Sequence, residues 1–416
     1  MLKESLWILL IAFLLGEAVL LLLNHRSISK NFDNNIFSDF IDNETFKKTI
    51  AYSLVRNHFS FLSLFYKVLI LGFILKLDLI PLYLNHFSPT NNLWMQSTLL
   101  FFWLFLFNLL FLPLDLLHTF KIEKDFGFNR STPQLWCLDQ IKSTLVSACI
   151  NIPIFALLLY LLKAFPTSWW IWGALGSLFF QIVMVWLYPK VILPLFNKLT
   201  PLADGSLKTR LVALAQKVGF ASTAIQVLDS SKRSTHSNAY CSSLGKIQHI
   251  VLFDTLLKNF SDEEIEAILA HEIGHYKCKH IFKMLLTSTL FTLIGLKICD
   301  IALQSNWIAE QLGLIQTTPL LLLILISTFS PILLYWFNPI LNHWSRKYEY
   351  EADAFANTQS SSCGHYLIQS LKKLYRENLS NLFPHPWYSC FHYSHPTLLE
   401  REKAIYDKNH FSENHR

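Results

Sequence analysis

Residues 271 to 275 read His271-Glu272-Ile273-Gly274-His275, two imidazoles four positions apart with a carboxylate beside the first. On a helix, His271 and His275 share a face one turn apart. Two imidazoles at that spacing can both ligate Zn²⁺ at about 2.0–2.1 Å. Glu272 then stands next to the metal without ligating it. It can take a proton from a water whose pKa the metal lowers to about 7. A single motif of this kind implies one Zn²⁺ per chain. A catalytic zinc also needs a third protein ligand and an open position. His280 is the nearest candidate, but it lies about 140° round a continuous helix and so faces away. The longer signature HExxHxxGxxH would need Gly at 278 and His at 281; the chain has Cys278 and Ile281, which excludes that class. The other source is an acid on a second helix. Glu349 and Asp353, in the run Tyr348-Glu349-Tyr350-Glu351-Ala352-Asp353, are one helical turn apart, while Glu351 points elsewhere. Glu349 could complete a His₂Glu set, and Asp353 could accept from the distal N–H of a ligating His, fixing its tautomer. By spacing alone the same pair also fits a solvated acidic face.

The elements that must position these groups can be read around them. Ser261 followed by Glu264 forms a capping box just before the apolar-periodic run Ile265, Ile268 and Leu269, which predicts a helix carrying the HEIGH motif. Of the 416 residues, 52% are hydrophobic and only 15% charged, and there are 34 Phe and 12 Trp. Soluble domains carry about 25% charged residues, so this is a polytopic membrane chain. Disorder and a nucleic-acid-binding module are excluded, and the net charge of +6 is modest. Its expected surroundings are membrane lipid. The seven cysteines, Cys137, Cys149, Cys241, Cys278, Cys299, Cys363 and Cys390, are scattered and read as reduced thiols, neither a disulfide framework nor a Cys-built zinc site.

Seven stretches reach the roughly 20 apolar residues that a membrane helix needs. They are Leu6 to Leu23, Phe59 to Leu84, Leu93 to Leu117, Thr144 to Leu162, Trp169 to Phe196, Ile281 to Leu303 and Leu320 to Leu341. The first reads as a retained anchor, because Glu17 lies inside it and no small-x-small cleavage site follows. Basic residues alternate between the short loops. Arg26, Lys30, Lys47, Lys48 and Arg56 fill the first, while the second and sixth have none. This places the amino terminus outside and the carboxyl terminus and zinc motifs on the cytosolic side. Charges within the spans, Glu17, Lys67 and Asp78 among them, point to a bundle that encloses water. Two polar regions, from Asn197 to His280 and from Asn342 onward, flank the hairpin of spans six and seven, so they meet on one membrane side. The organisation expected is 1–196 for membrane helices one to five, 197–280 for the first part of a zinc-protease domain, 281–341 for helices six and seven, and 342–416 for the second part.

HEIGH followed by an EYEAD helix beyond one membrane hairpin resembles the CAAX prenyl protease type 1 family, the membrane-integral gluzincin metallopeptidases. Further segments resemble its motifs: the run Ser231-Lys232-Arg233-Ser234-Thr235-His236-Ser237-Asn238-Ala239-Tyr240, the run Ile250 to Leu256, Glu123 with Gly127-Phe128-Asn129, and His392-Tyr393-Ser394-His395-Pro396 with Glu400-Arg401. The resemblance implies an α-helical polytopic membrane protein, seven helices around a water-filled chamber, closed by a mostly helical zinc domain with a small β-sheet. It implies His271, His275 and Glu349 as zinc ligands and Glu272 as general base. Asn238, Ala239 and Tyr240 would hold substrate backbone as an added β-strand. His395 and Arg401 would lie near the zinc, where a cationic donor stabilises an oxyanion. The implied activity is removal of the last three residues of an isoprenylated CAAX tail, in the endoplasmic reticulum if the source is eukaryotic and the inner membrane if it is bacterial. Two departures stand out. Cys241-Ser242-Ser243 replaces an aromatic pair at the substrate edge, and Tyr276 replaces a common Trp. Two rivals are a membrane quality-control protease, against which five spans before His271 argue, and a non-catalytic metal-stabilised receptor or channel, against which Glu272 argues.

Overall fold

The computed structural model describes residues 1–31, 36–87, 92–220, 225–244, 247–360 and 362–413. Among the described residues, five helices are long and apolar enough to cross a membrane: Leu2–Lys30, Asn43–Lys76, Pro133–Ala164, Trp169–Phe196 and His280–Leu303. Two further spans are bent pairs, Leu93–Leu109 with Leu112–Asp125 at 43° and Pro319–Tyr335 with Asn338–Asn357 at 66°. The bundle turns large apolar side chains outward, among them Ile8, Leu15, Phe179 and Ile298, as a lipid-facing surface must. Its interior is tied by polar bridges between spans. Asn24 Nδ2 donates to Asn57 Oδ1 at 3.0 Å, Trp103 Nε1 to Thr328 Oγ1 at 3.0 Å, and Trp169 Nε1 to Asp300 Oδ1 at 2.8 Å. Glu17 is buried and meets His392 Nε2 of the C-terminal segment at 3.1 Å.

Several span boundaries differ from the sequence expectation: the first helix runs on to Lys30 and the fourth starts at Pro133 rather than Thr144. The second helix starts at Asn43, well before Phe59, and ends at Lys76; Asp78 then adopts a left-handed conformation (φ 51°) and a short helix, Leu79–His86, follows. The last span ends at Tyr335 rather than Leu341. After the turn at Trp336–Phe337 a new helix begins with Pro339 in its first turn, where the missing N–H costs nothing. That new helix carries Glu349 and Asp353. At one end of the bundle Lys3 pairs with Asp78 at 2.6 Å, and the Met1 ammonium donates to Gln311 Oε1 at 3.0 Å. The amino terminus, the end of span two and the loop between spans six and seven therefore share one end.

Outside the bundle lies a four-stranded sheet of β1 (Leu199–Pro201), β2 (Ile225–Leu228), β3 (Ala239–Leu244) and β4 (Ile247–Phe253), in the order β1-β2-β4-β3. β2 and β4 run parallel, and β3 returns antiparallel with Ala239 opposite Leu252 and Tyr240 opposite Val251. Ile250, Val251 and Leu252 are all buried, as expected of an inner strand covered on both faces. β3 is the sheet's edge. Leu211, Ile250, Ile265, Ala356, Leu367, Leu398 and Ile405 share one apolar core, so the two polar regions that flank the hairpin in sequence fold as one body. The six described cysteines are free, as expected, and Cys241 is without a side-chain description.

Candidate metal centre

The helix Asp262–Lys277 is set by its predicted capping box. Ser261 N donates to Glu264 Oε2 at 2.8 Å and Glu264 N to Ser261 Oγ at 3.3 Å. Its face with His271 and His275 packs against the helix Asn338–Asn357. Gly274 makes that approach possible: a Cβ there would stand 2.9 Å from Ala352 Cα and 3.0 Å from its carbonyl oxygen. Only a residue without a side chain lets the two backbones come this close. Glu349, one turn before Ala352, is thereby carried to the two imidazoles.

Three side chains converge. His271 Nε2 and His275 Nε2 are 3.2 Å apart, and Glu349 stands 3.4 Å from each through its two oxygens. Ligands placed tetrahedrally at about 2.0–2.1 Å from one ion are about 3.3 Å from each other. The spacing of the two imidazole nitrogens, and of each from its nearer Glu349 oxygen, has that size. Glu349 Oε2 is buried and accepts no well-aligned hydrogen bond, although His395 Nδ1 stands 2.9 Å from it, so a cation would satisfy this oxygen. The donor set therefore fits a small divalent metal.

Each histidine is held from behind. His271 Nδ1 donates to Asp353 Oδ1 at 2.8 Å, which assigns the proton to Nδ1 and turns the Nε2 lone pair toward Glu349. Arg401 grips Asp353 with Nε on Oδ2 at 2.8 Å and Nη2 on Oδ1, all three groups buried. Burial opposes a charge on His271, but Asp353 and Glu349 outweigh it and push its pKa up to about 9. The pocket thus attracts a cation, and takes a proton where no metal is offered.

The support behind His275 is one the spacing argument missed. The helix stops at Lys277, and Lys279 is left-handed (φ 54°). This break turns His280 back rather than away, so its Nδ1 lies 2.9 Å from His275 Nδ1 and its Nε2 3.0 Å from Glu351 Oε2. Glu351, which does point away from Glu349, points at His280.

Glu272 is half-buried and has no hydrogen-bond or ion-pair partner among the described residues, so its carboxylate is free to move a proton. His395 Nδ1 lies 2.9 Å from Glu349 Oε2, and its side chain is 64% exposed, a donor at the open side of the centre. Arg401 also approaches Glu349, at 3.7 Å. Asn238 precedes β3, its Oδ1 accepting from Ala239 N at 2.8 Å and its carbonyl from Phe253 N at 3.2 Å. Ala239 and Tyr240 follow on the edge strand, which packs against the HEIGH helix. The other two sequence segments meet as well. Asn129 bridges Ser234, and His236 stacks on Phe128 at 4.1 Å with Nε2 3.1 Å from Glu123. Gly127 (φ 88°) makes the turn that lets Phe128 and Asn129 donate back to the Glu123 carbonyl.

The family model described as CAAX prenyl protease N-terminal, five membrane helices, matches residues 23–198, and that of Peptidase family M48 matches 201–408. CAAX prenyl protease 1 of Saccharomyces cerevisiae is 36% identical over 94% of this chain and 92% of that protein. The chain belongs to peptidase family M48. The Homo sapiens CAAX prenyl protease 1 homolog is 32% identical over 88% of this chain and 86% of its own. The crystal structure of S. mikatae Ste24p superposes on this M48 peptidase with a TM-score of 0.88 at 33% identity, covering 97% of this chain and 98% of that one. The chain is a multi-pass membrane metallopeptidase acting on a peptide or protein substrate.

Proposed function

We propose that this M48 peptidase binds Zn²⁺ through His271, His275 and Glu349 and removes the C-terminal tripeptide of an isoprenylated CAAX tail. The observation that carries the reading is the convergence of two imidazoles and the Glu349 carboxylate at the spacing of ligands to one ion, on a helix that packs against the edge strand β3. Bound there, Zn²⁺ supplies the Lewis acidity that brings water within reach of a base at neutral pH. Glu272 accepts the proton from the attacking water and returns it to the leaving amine. His395 donates to the oxygen on which charge develops. Arg401 spends its fork on Asp353, so both act as positioning residues that fix the tautomer of His271. Asn238, Ala239 and Tyr240 offer their backbone to a substrate running as an added strand.

The four-part division at 196, 280 and 341 describes how one zinc-protease body is interrupted by a membrane hairpin. The end of the bundle that holds Met1, Asp78 and Gln311 is taken as extracytosolic, and the metal centre as cytosolic, which is where a prenylated tail resides. Asn24, Ser53, Arg56 and Asn57 line a polar cavity of about 280 Å³ with Tyr375 and Tyr388, which supports a wet interior between the spans and the zinc domain. Lipid surrounds the apolar exterior, and no nucleic-acid partner is proposed.

The test is incubation of the purified protein with a farnesylated and an unfarnesylated CAAX peptide of one sequence, with mass spectrometry of the products. Release of the tripeptide from the farnesylated peptide in preference to the other is expected. Equal cleavage of both would remove the prenyl group from the substrate definition, and cleavage of neither would remove the CAAX reading.

A further inference from the structure

The side of His275 turned away from Glu349 carries a second convergence of ligand-type groups. The left-handed turn at Lys279 brings a Cys278 thiol, a His280 ring nitrogen and a Glu351 carboxylate oxygen within 4.8 Å of one another. His280 is 1% exposed and stacks on Tyr348 at 4.5 Å, so its ring is fixed before any ligand arrives. Cys278 and Glu351 are half-buried, which leaves room for water as a fourth ligand. Thiolate, imidazole and carboxylate together make a borderline-soft set suited to Zn²⁺ or Co²⁺ rather than to Mg²⁺ or Ca²⁺. The place of a cation is held by the Lys283 ammonium, 3.0 Å from Glu351 Oε2 on a side chain that is 42% exposed and free to swing aside.

We propose that Cys278, His280 and Glu351 form an inhibitory site for a second divalent cation of the zinc type, coupled to the catalytic centre through the His275–His280 hydrogen bond. The coupling rests on the reading of His275 as a metal ligand; the second site itself does not. With His275 Nε2 turned to its metal, the proton of that ring is on Nδ1 and is donated to His280 Nδ1. His280 then carries its own proton on Nε2 and donates it to Glu351. A cation shared with Glu351 takes His280 Nε2, and the displaced proton moves to Nδ1. There it faces the proton of His275, and the hydrogen bond is lost. A cation on Nδ1 would displace His275 directly. Either way Cys278 releases its thiol proton to solvent and His275 loses the acceptor that orients it. Losing such an outer partner costs a metal site about 10–100-fold in affinity or activity. By linkage, the catalytic metal weakens the second site by the same factor.

The experiment titrates the full-length purified protein with Zn²⁺ and with Co²⁺, reading metal bound per chain, peptide hydrolysis and the near-ultraviolet spectrum. The His₂Glu centre has no sulfur, so a thiolate-to-cobalt charge-transfer band reports the second site alone. A second equivalent is expected to bind as activity falls, and the band to grow with it. Cys278→Ser should abolish the band and weaken both the second equivalent and the inhibition by tenfold or more, with the first equivalent retained. Lys283→Gln, which removes the competing ammonium, should tighten both. A thiolate band without any catalytic metal would leave the second site standing and sink the His₂Glu reading instead. No band in the parent protein, or the same inhibition in Cys278→Ser, would place the inhibitory cation at the catalytic centre and overturn the proposal.

Discussion

The two histidines of the HEIGH helix are one turn apart, yet their outer nitrogens meet opposite surroundings. His271 is backed by Asp353, itself gripped by Arg401, and all three are buried. His275 is backed by a neutral ring, His280, which passes the interaction on to Glu351 at a half-exposed rim shared with Lys283. A buried carboxylate, though partly offset by Arg401, polarises its histidine from a position solvent does not reach. A relay through a second imidazole is weaker and can be interrupted from solvent. The difference teaches that one histidine of the proposed centre is held from inside the protein, and the other by a contact that solvent can reach.

Removing the shared carboxylate breaks both flanks at once. Glu349→Ala should lose bound metal and all measurable hydrolysis, and full metal retention in that variant would reopen the choice of third ligand. Glu272→Gln leaves both flanks intact, so metal content should be unchanged while kcat falls by about 10²–10⁴, the usual worth of a general base. Near-normal turnover would overturn that assignment.

The comparison itself is sharpened by Asp353→Asn against His280→Ala, with metal affinity measured by chelator competition. Both should weaken binding within the roughly 10–100-fold range of an outer partner, with Asp353→Asn the larger; equal losses would erase the distinction drawn here. A pH arm reads the anchored flank separately. In the metal-free protein the folded state raises the pKa of His271 to about 9. An unfolded histidine has a pKa of about 6.5, so the stabilisation is complete below that value and is lost as pH rises through about 9. The Tm of chelated protein should therefore fall across pH 7 to 10, and added Zn²⁺ should abolish that fall. Gly274→Ala tests the contact on which both flanks depend. Overpacking against Ala352 should cost about 1–3 kcal/mol, read as a lower Tm together with weaker metal binding.

The smallest effect lies outside both flanks. Asp254 accepts from Ser230 Oγ and Ser231 N, each at 3.0 Å, and also from Ser231 Oγ, and so pins the segment that leads into β3. Asp254→Asn should raise KM a few-fold with kcat and metal content unchanged, in line with a strap that only presents the substrate edge.

Helical periodicity made the core of the centre legible. His271 with His275, and Glu349 with Asp353, lie on faces that the 3.6-residue turn dictates, and Ser261 with Glu264 announced the helix start. The same periodicity misplaced His280, because a lysine in the left-handed region gives no signal of the kind a glycine would. Asp78 hid the end of span two in the same way. Gly274 was visible only as a slot in the motif; its close approach to Ala352 belongs to tertiary packing, which no local pattern carries. The roles of Asn238, His395 and Arg401 came from family resemblance alone. Arg401 was expected near the zinc; the structure sets it 3.7 Å from Glu349 with Nε and Nη2 on Asp353.

The helix that carries Glu349 begins only after the last membrane segment has turned at Trp336–Phe337. During synthesis the two histidines therefore leave the ribosome well ahead of the carboxylate that completes their set. On the proposed ligand set, a chain interrupted before Asn338 would present two imidazoles and no third ligand, a poor trap for a metal ion. On that set, hydrolysis would therefore have to wait until the chain has been made past its last membrane segment.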